Sequence, residues 1–401
     1  MRTASGSRHA IAALLAAVSI IPATELAAQG ARPTGLEVGA VPAINFDSDE
    51  GFGYGAIAEL YQYGDGSRAP WAWTLQPKVF LTTGGRRDVT LFFDAPHLLP
   101  GNWRLDVWLG SEQQIATPYY GMGNATAYDA SLDAKDGPDP HYYRFGRTRR
   151  GLTTDLQHRV LDPRIRVLVG AGLGRVRVVP VPKGEGTTLF AQEWGGAERA
   201  GWFNYVRAGL VWDTRDRETG PRRGSWTELL VQRVDRALGA DVTYTRWTLA
   251  DRRYVSLTHN LVFAHRVVLQ DVNGDVPVYQ LFTIQSSFKQ QEGLGGANTV
   301  RGVPKNRYVG RGMLVWNAEL RWRAADFMML GRSFHATISA FLDQGRVWKD
   351  GVRFDELLSD LHRGVGGGLR IGMGEDFVVA LDAGTSSETS LPIYIGLGYL
   401  Y

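Results

Sequence analysis

The sequence predicts an all-β protein: a 16-stranded antiparallel transmembrane β-barrel with a long inward-folded extracellular loop. Three observations predict it. Apolar and polar residues alternate with a period of two along many segments of about ten residues, as in strands with lipid on one face and a wet lumen on the other. Long and short connections between these segments alternate along the chain. Behind an export-type leader, no run of 18 uncharged apolar residues could cross a membrane as a helix.

Residues 1–30 read as a secretory signal peptide and 31–401 as the barrel. Arg2 and Arg8 give a positive start, Ala10 to Ala23 an apolar stretch, and Ala28-Gln29-Gly30 small residues for cleavage. A retained N-terminal helix is the plainer alternative. There is no cysteine in the chain, which excludes disulfides, thiolate metal sites and cysteine nucleophiles and fits the bacterial envelope. The 44 basic residues stand against 41 acidic ones, with no basic run set apart, so nucleic acid is not an implied partner. The 49 Gly suit tight turns and curved strands, and the 12 Trp and 16 Tyr suit interfacial girdles.

The strands follow in order. Six are expected near 34–46, 52–63, 71–83, 87–96, 102–115 and 141–159. In the seventh, 164–179, Ile165, Val167, Val169, Ala171 and Leu173 oppose Arg166, Leu168, Gly170, Gly172 and Gly174. In the eighth, 201–213, Trp202, Val206, Ala208, Leu210 and Trp212 oppose Tyr205, Arg207, Gly209 and Asp213. Strands near 224–235, 240–251 and 256–269 come next. The twelfth, 311–323, sets Leu314, Trp316, Ala318, Leu320 and Trp322 against Val315, Asn317, Glu319, Arg321 and Arg323. The thirteenth, 334–348, turns Phe334, Ala336, Ile338, Ala340 and Leu342 to lipid and His335, Thr337, Ser339, Phe341 and Asp343 inward. After 363–373 and 376–384, the last strand, 392–401, groups Ile393, Ile395, Leu397, Tyr399 and Tyr401 on one face. The long gaps (116–140, 180–200, 270–310 and 349–362) all follow odd strands. With the first strand rising from the periplasm, they lie outside the cell, as in outer-membrane barrels.

Several segments of the second half resemble the barrel of the BamA/TamA superfamily, the bacterial surface antigen type. They are Val300-Arg301-Gly302-Val303, Asn317-Ala318-Glu319-Leu320-Arg321, Phe341-Leu342-Asp343-Gln344-Gly345, the turn from Gly209 to Gly224, and the aromatic end. The resemblance implies that the loop before the twelfth strand folds into the lumen and that Arg301 meets Glu319 and Asp343. Arg301, Gly302, Glu319 and Asp343 would then form a loop-lock motif. A guanidinium matches a carboxylate fork, and a sheltered lumen strengthens the pairing. The resemblance also makes Tyr399 and Tyr401 a C-terminal assembly signal read by the barrel-assembly machinery. Two departures stand out. Val303 replaces the family's aromatic, and a barrel starting near residue 34 leaves no room for the periplasmic POTRA repeats.

Other constellations favour plain readings. Arg301, Glu319 and Asp343 have no accompanying nucleophile, so a structural lock is preferred to a catalytic cluster. The run Gly364-Val365-Gly366-Gly367-Gly368 lacks the Gly-Lys pair and helical context of a phosphate loop. Asp271, Asn273 and Asp275 alternate like calcium ligands, but Val276 and Phe282 stand where that loop needs Gly and Glu, so a polar turn is favoured. His259 and His265 lie about 20 Å apart along a strand. No catalytic, cofactor or metal site is expected.

The sequence therefore points to a non-enzymatic protein of the bacterial outer membrane, concerned with insertion or translocation of macromolecules. Lipid, the assembly machinery during biogenesis and a separate periplasmic protein are its expected partners. A passive pore for small solutes is the alternative, which a lumen plugged by residues 280–308 would oppose. A membrane-embedded hydrolase is third, disfavoured by the missing nucleophile motif.

Overall fold

The computed structural model describes residues 33–47, 51–67, 69–99, 102–133, 137–184, 186–329, 331–389 and 391–401. The signal segment lies outside these residues. The chain forms one antiparallel sheet in which each strand bonds to the next in sequence. The strands are Gly35–Asp47, Gly51–Gly64, Trp73–Thr82, Arg87–Leu99, Trp103–Pro118, Arg144–Arg159, Ile165–Val179, an eighth in two pieces (Arg199–Trp202 and Tyr205–Asp213), Gly224–Val234, Tyr244–Ser256, Leu261–Gly274, Gly312–Met329, Arg332–Trp348, His362–Met373, Phe377–Thr385 and Ile393–Leu397. Side chains bring the first and last parts of the sheet together at the periplasmic end. Phe377 packs against Gly39, and the Tyr63 hydroxyl donates to Asp376 at 2.7 Å.

Each expected strand has its counterpart, and the differences have local causes. The eighth is split because Asn204 substitutes its amide for the ladder, accepting from Gly174 N and donating to Leu238 O. The tenth starts at Tyr244 rather than 240, since Asp235 caps a 3-10 turn over Arg236–Leu238 that delays the strand. The eleventh starts at Leu261 rather than 256, after a short turn closed by Leu257 N to Leu261 O. The twelfth continues past 323 to Met329, through a register shift between Arg323 and Ala325. A bulge adds one residue and swaps the faces, so the alternation breaks there although the strand does not.

Burial is inverted relative to a water-soluble sheet. Leu173, Trp212 and Ile393 are 58%, 56% and 65% exposed, while Arg266, Arg301 and Asp343 are sealed at 0%. With water outside, such an arrangement would be ruinous on both counts. With hydrocarbon outside it is favourable, because apolar side chains meet lipid and the backbone polar groups are satisfied within the sheet. Val169, in the middle of the outward row of the seventh strand, is 54% exposed. Val169→Arg is expected to cost about 2–4 kcal/mol in urea-induced unfolding from lipid vesicles. A cost under about 0.5 kcal/mol, typical of a water-facing surface site, would contradict a lipid-facing Val169.

Candidate functional site

The connection between the eleventh and twelfth strands turns into the lumen. A two-residue hairpin, Thr283–Ile284 against Gln291–Glu292, shapes its first half. Val300, Val303, Leu294 and Ile284 then pack with Ala250, Val268, Met313, Val315 and Val347 of the wall. Val303 is thus buried in an apolar cluster. Above the loop, Tyr119, Phe145, Phe190 and Phe282 converge in a second cluster that covers the extracellular end.

Arg301 is the polar centre of the loop. Its Nε and Nη2 donate to Asp343 Oδ2 and Oδ1 at 2.7 and 3.1 Å, and its backbone N–H adds a third bond to Oδ2 at 3.1 Å. Nη1 reaches Asp382 at 3.1 Å. The guanidinium stacks on Phe341, 3.4 Å from the ring centre, which fixes its plane. Burial acts to lower the Arg301 pKa, but Asp343, with Glu319 and Asp382 behind it, outweighs burial and raises it above the ordinary arginine value. Asn317 joins the motif by donating to Asp343 at 2.8 Å and to Thr299 O at 2.6 Å. Its own oxygen accepts twice from Arg266.

Glu319 is not a direct partner of Arg301, contrary to the sequence expectation. Arg370 stands between them, bridging Glu319 at 3.1 Å and Asp382 at 3.0 Å. Arg321 holds the other Glu319 oxygen at 3.4 Å and donates to the Tyr401 carbonyl at 3.0 Å. The result is a ladder of alternating charge: Arg301, Asp343 and Asp382, Arg370, Glu319, Arg321, chain end. Asp382 and Arg370 were missed in the sequence. The alternation of their strands was legible, but a side chain's reach across two strands was not.

Gly302 lets the loop touch the wall by backbone. Its φ is +97°, and an added Cβ would stand 2.7 Å from the carbonyl carbon of Thr385. Its N–H donates to the Tyr394 hydroxyl at 3.0 Å and its carbonyl accepts from Ser386 and Thr389. Gly364, from the glycine run, leaves room for the Arg301 carbonyl, which a Cβ there would overlap. Of the run, Gly364 is the seat for the loop, while Gly366 and Gly368 face wall residues.

A second anchor lies on the opposite wall and was not foreseen. Glu228, paired with Arg252 at 2.9 Å, accepts from Ser287 N at 2.7 Å and from Ser286 Oγ at 3.1 Å. Arg207, paired with Asp155, donates to Gln285 at 3.0 Å. Phe288 meets Phe92 edge-on at 5.0 Å. The loop is therefore tied to both sides of the lumen.

The chain end departs from expectation. Tyr399 and Tyr401 are not on the lipid face with Ile393 and Ile395. At Gly398, φ +76°, the chain leaves the wall and enters the lumen. Tyr401 is 8% exposed against Tyr254 and Ala264, and its hydroxyl donates to Ala264 O at 3.2 Å. Tyr399 lies under Arg321 at 4.6 Å. Asp271 and Asp275 also part company: Asp271 accepts from Val352 N at 2.8 Å, and Asp275 pairs with Arg236 at 3.3 Å. At the periplasmic turn Arg215 pairs with Asp213 at 2.7 Å.

Removing one member of a buried pair leaves an uncompensated charge, a loss of about 3–5 kcal/mol. Arg301→Ala is expected to free the loop from Asp343 while the strands stay paired. Limited proteolysis of residues 293–311 should accelerate about 100-fold or more, with the heat-modifiable gel shift of the barrel retained. Loop cleavage at the wild-type rate would show that Arg301 is not the fastening.

Residues 86–375 match the Omp85 superfamily domain. Among solved structures, the fold is similar to BamA from Haemophilus ducreyi lacking POTRA domains 1-3, with a TM-score of 0.52 and 13% identity over 91% of this chain and 69% of that one. It is also similar to CdiB from Escherichia coli, with a TM-score of 0.55 and 12% identity over 91% of this chain and 62% of that one. At such identities these likenesses show the fold alone. No curated protein sequence matches. The family match spans most of the chain: this outer-membrane β-barrel belongs to the Omp85 superfamily.

Proposed function

We propose that this barrel handles insertion or translocation of macromolecules at the outer membrane, as a non-enzymatic device working with a separate periplasmic partner. The observation that carries the reading is the occupied lumen. The loop is fastened to opposite walls by Arg301 with Asp343 and by Glu228 with Ser287, and an aromatic cluster covers it from outside. A constitutive pore needs a standing aqueous path, and residues 280–308 lie across it. Family membership supports traffic of larger cargo. On the periplasmic side a cavity of about 250 Å³, lined by Trp71, Arg104, Glu218 and the chain end, is left below the loop.

Two reconstitutions test this. In planar bilayers the wild type is expected to stay closed or flicker, and Arg301→Ala to conduct more often. In proteoliposomes it is expected to speed the protease-protected insertion of a urea-unfolded eight-stranded outer-membrane barrel relative to protein-free vesicles. A steady, ohmic wild-type conductance without faster insertion would instead support the solute pore.

A further inference from the structure

The outer surface carries a group of arginines that the lock does not use. On the face turned away from the lumen, side chains from neighbouring strands line up in rows. One row is entirely apolar: Leu91, Leu109, Leu152 and Leu173 are register partners across the fourth to seventh strands, and all are exposed. This is the upper part of the lipid band. The next row toward the extracellular end reads Val89, Ser111, Arg150, Arg175, Trp202. The row above reads Arg87, Gln113, Thr148, Arg177, Ala200. The switch from leucine to arginine within one register step marks the extracellular edge of the hydrocarbon, and exposed Trp202 marks the same level as an interfacial aromatic.

Arg150 and Arg175 face each other directly across the sixth and seventh strands. Like charges directly opposite destabilise a sheet. Elsewhere on the outer surface such arginines carry an acid: Arg233 with Asp235, Arg253 with Asp251, Arg177 with Glu198. Arg150 and Arg175 have no carboxylate partner among the described residues, and Arg175 only lies over the Trp202 ring at 5.7 Å. Both line a cleft of about 440 Å³ together with Arg147, Arg177 and Lys183, and no carboxylate is among its lining residues. The Arg147 guanidinium turns inward to Gln114 and Arg177 is held by Glu198, which leaves Arg150, Arg175 and Lys183 to the cleft.

We propose that this cleft binds the phosphate headgroup of a phosphorylated glycolipid of the outer leaflet. The height selects a lipid, because the arginines begin where the acyl chains end and the leucine row below offers those chains a wall. The charge selects an anion. The residue type selects phosphate, since two guanidinium forks set side by side match tetrahedral oxyanions bidentately. A bound phosphate also resolves the Arg150–Arg175 repulsion that the sheet itself leaves standing.

The test uses the full-length protein in zwitterionic-detergent micelles. Three probes are titrated with native mass spectrometry and thermophoresis: a bisphosphorylated hexa-acyl glucosamine disaccharide, its monophosphorylated form and inorganic pyrophosphate. The bisphosphorylated lipid is expected to bind saturably, more tightly than the monophosphorylated one, and far more tightly than pyrophosphate. The double variant R150Q/R175Q is expected to lose about tenfold or more in affinity, with R233Q as an unchanged control. R150K/R175K keeps the charge but not the forks and is expected to fall between. It also serves if the glutamine variant fails to fold by heat-modifiable migration. Wild-type affinity should fall as salt rises. Equal binding by wild type and variants, an affinity indifferent to salt, or pyrophosphate binding as tightly as the lipid would each overturn the proposal.

Discussion

Hydrocarbon around the sheet is the constraint from which the rest of the structure follows. A backbone in lipid must satisfy its N–H and C=O groups internally, which the strand-to-strand ladder does. The outward face must then be apolar, so Leu152, Leu173 and Trp212 lie where a soluble protein would place charges. Polar side chains have one direction left. Arginines and acids from many strands crowd into a shared interior, where they must pair with one another or with whatever enters. The lumen loop is what enters, and its sequence is written for that interior: Gln285, Ser286, Ser287 and Arg301 meet wall charges, while Val300 and Val303 meet the apolar gaps.

The same constraint explains how much could be read in advance. Lipid enforces alternation on every wall strand, so the wall strands and the inward direction of Glu319 and Asp343 were visible in the residues. Segregated connection lengths gave the two ends. Features that break the period were hidden. The bulge at Arg323–Ala325 switches faces without ending the strand. Asn204 replaces a ladder bond with its side chain and cuts the eighth strand in two. Gly398 takes the last four residues off the wall, although Tyr399 and Tyr401 still keep lipid-face spacing in the sequence. Alternation reports where a side chain points if the strand continues; it cannot report that the strand has stopped.

The site was legible at its first contact only. The pairing of Arg301 with Asp343 was implied by the family resemblance, and alternation added only that the acid points inward. Which acid Arg301 takes next depends on the stagger between strands and on side-chain length. Arg370 is long enough to occupy the space between Asp382 and Glu319, and that displaces Glu319 from direct contact. The Glu228 anchor was hidden for a different reason. Ser286 and Ser287 are small polar residues with no pattern of their own, and only the folded loop brings their N–H and hydroxyl to a buried carboxylate.

A plug fastened by ions has a different character from one fastened by grease. Buried ion pairs add little net stability compared with apolar packing of the same volume, since desolvation offsets most of the attraction, yet breaking one from a single side is expensive. An apolar plug withdrawn from this lumen would leave greasy walls against water and would resist leaving. A polar plug leaves behind Asp343, Asp382 and Glu228, which water can solvate, and carries away Arg301 and the serine N–H groups, which water can also solvate. Each end state is satisfied once wet, and only the half-broken state is costly. Charged walls and a charged loop therefore suit an element that is either seated or gone. Part of the loop is nevertheless apolar: Leu294, Val300 and Val303 hold it against the eleventh, twelfth and thirteenth strands. On the other side Phe282 packs with Tyr119, Phe145 and Phe190, and Phe288 meets Phe92 and the Arg104 guanidinium, so both walls hold the loop by apolar and aromatic contact as well as by polar bonds.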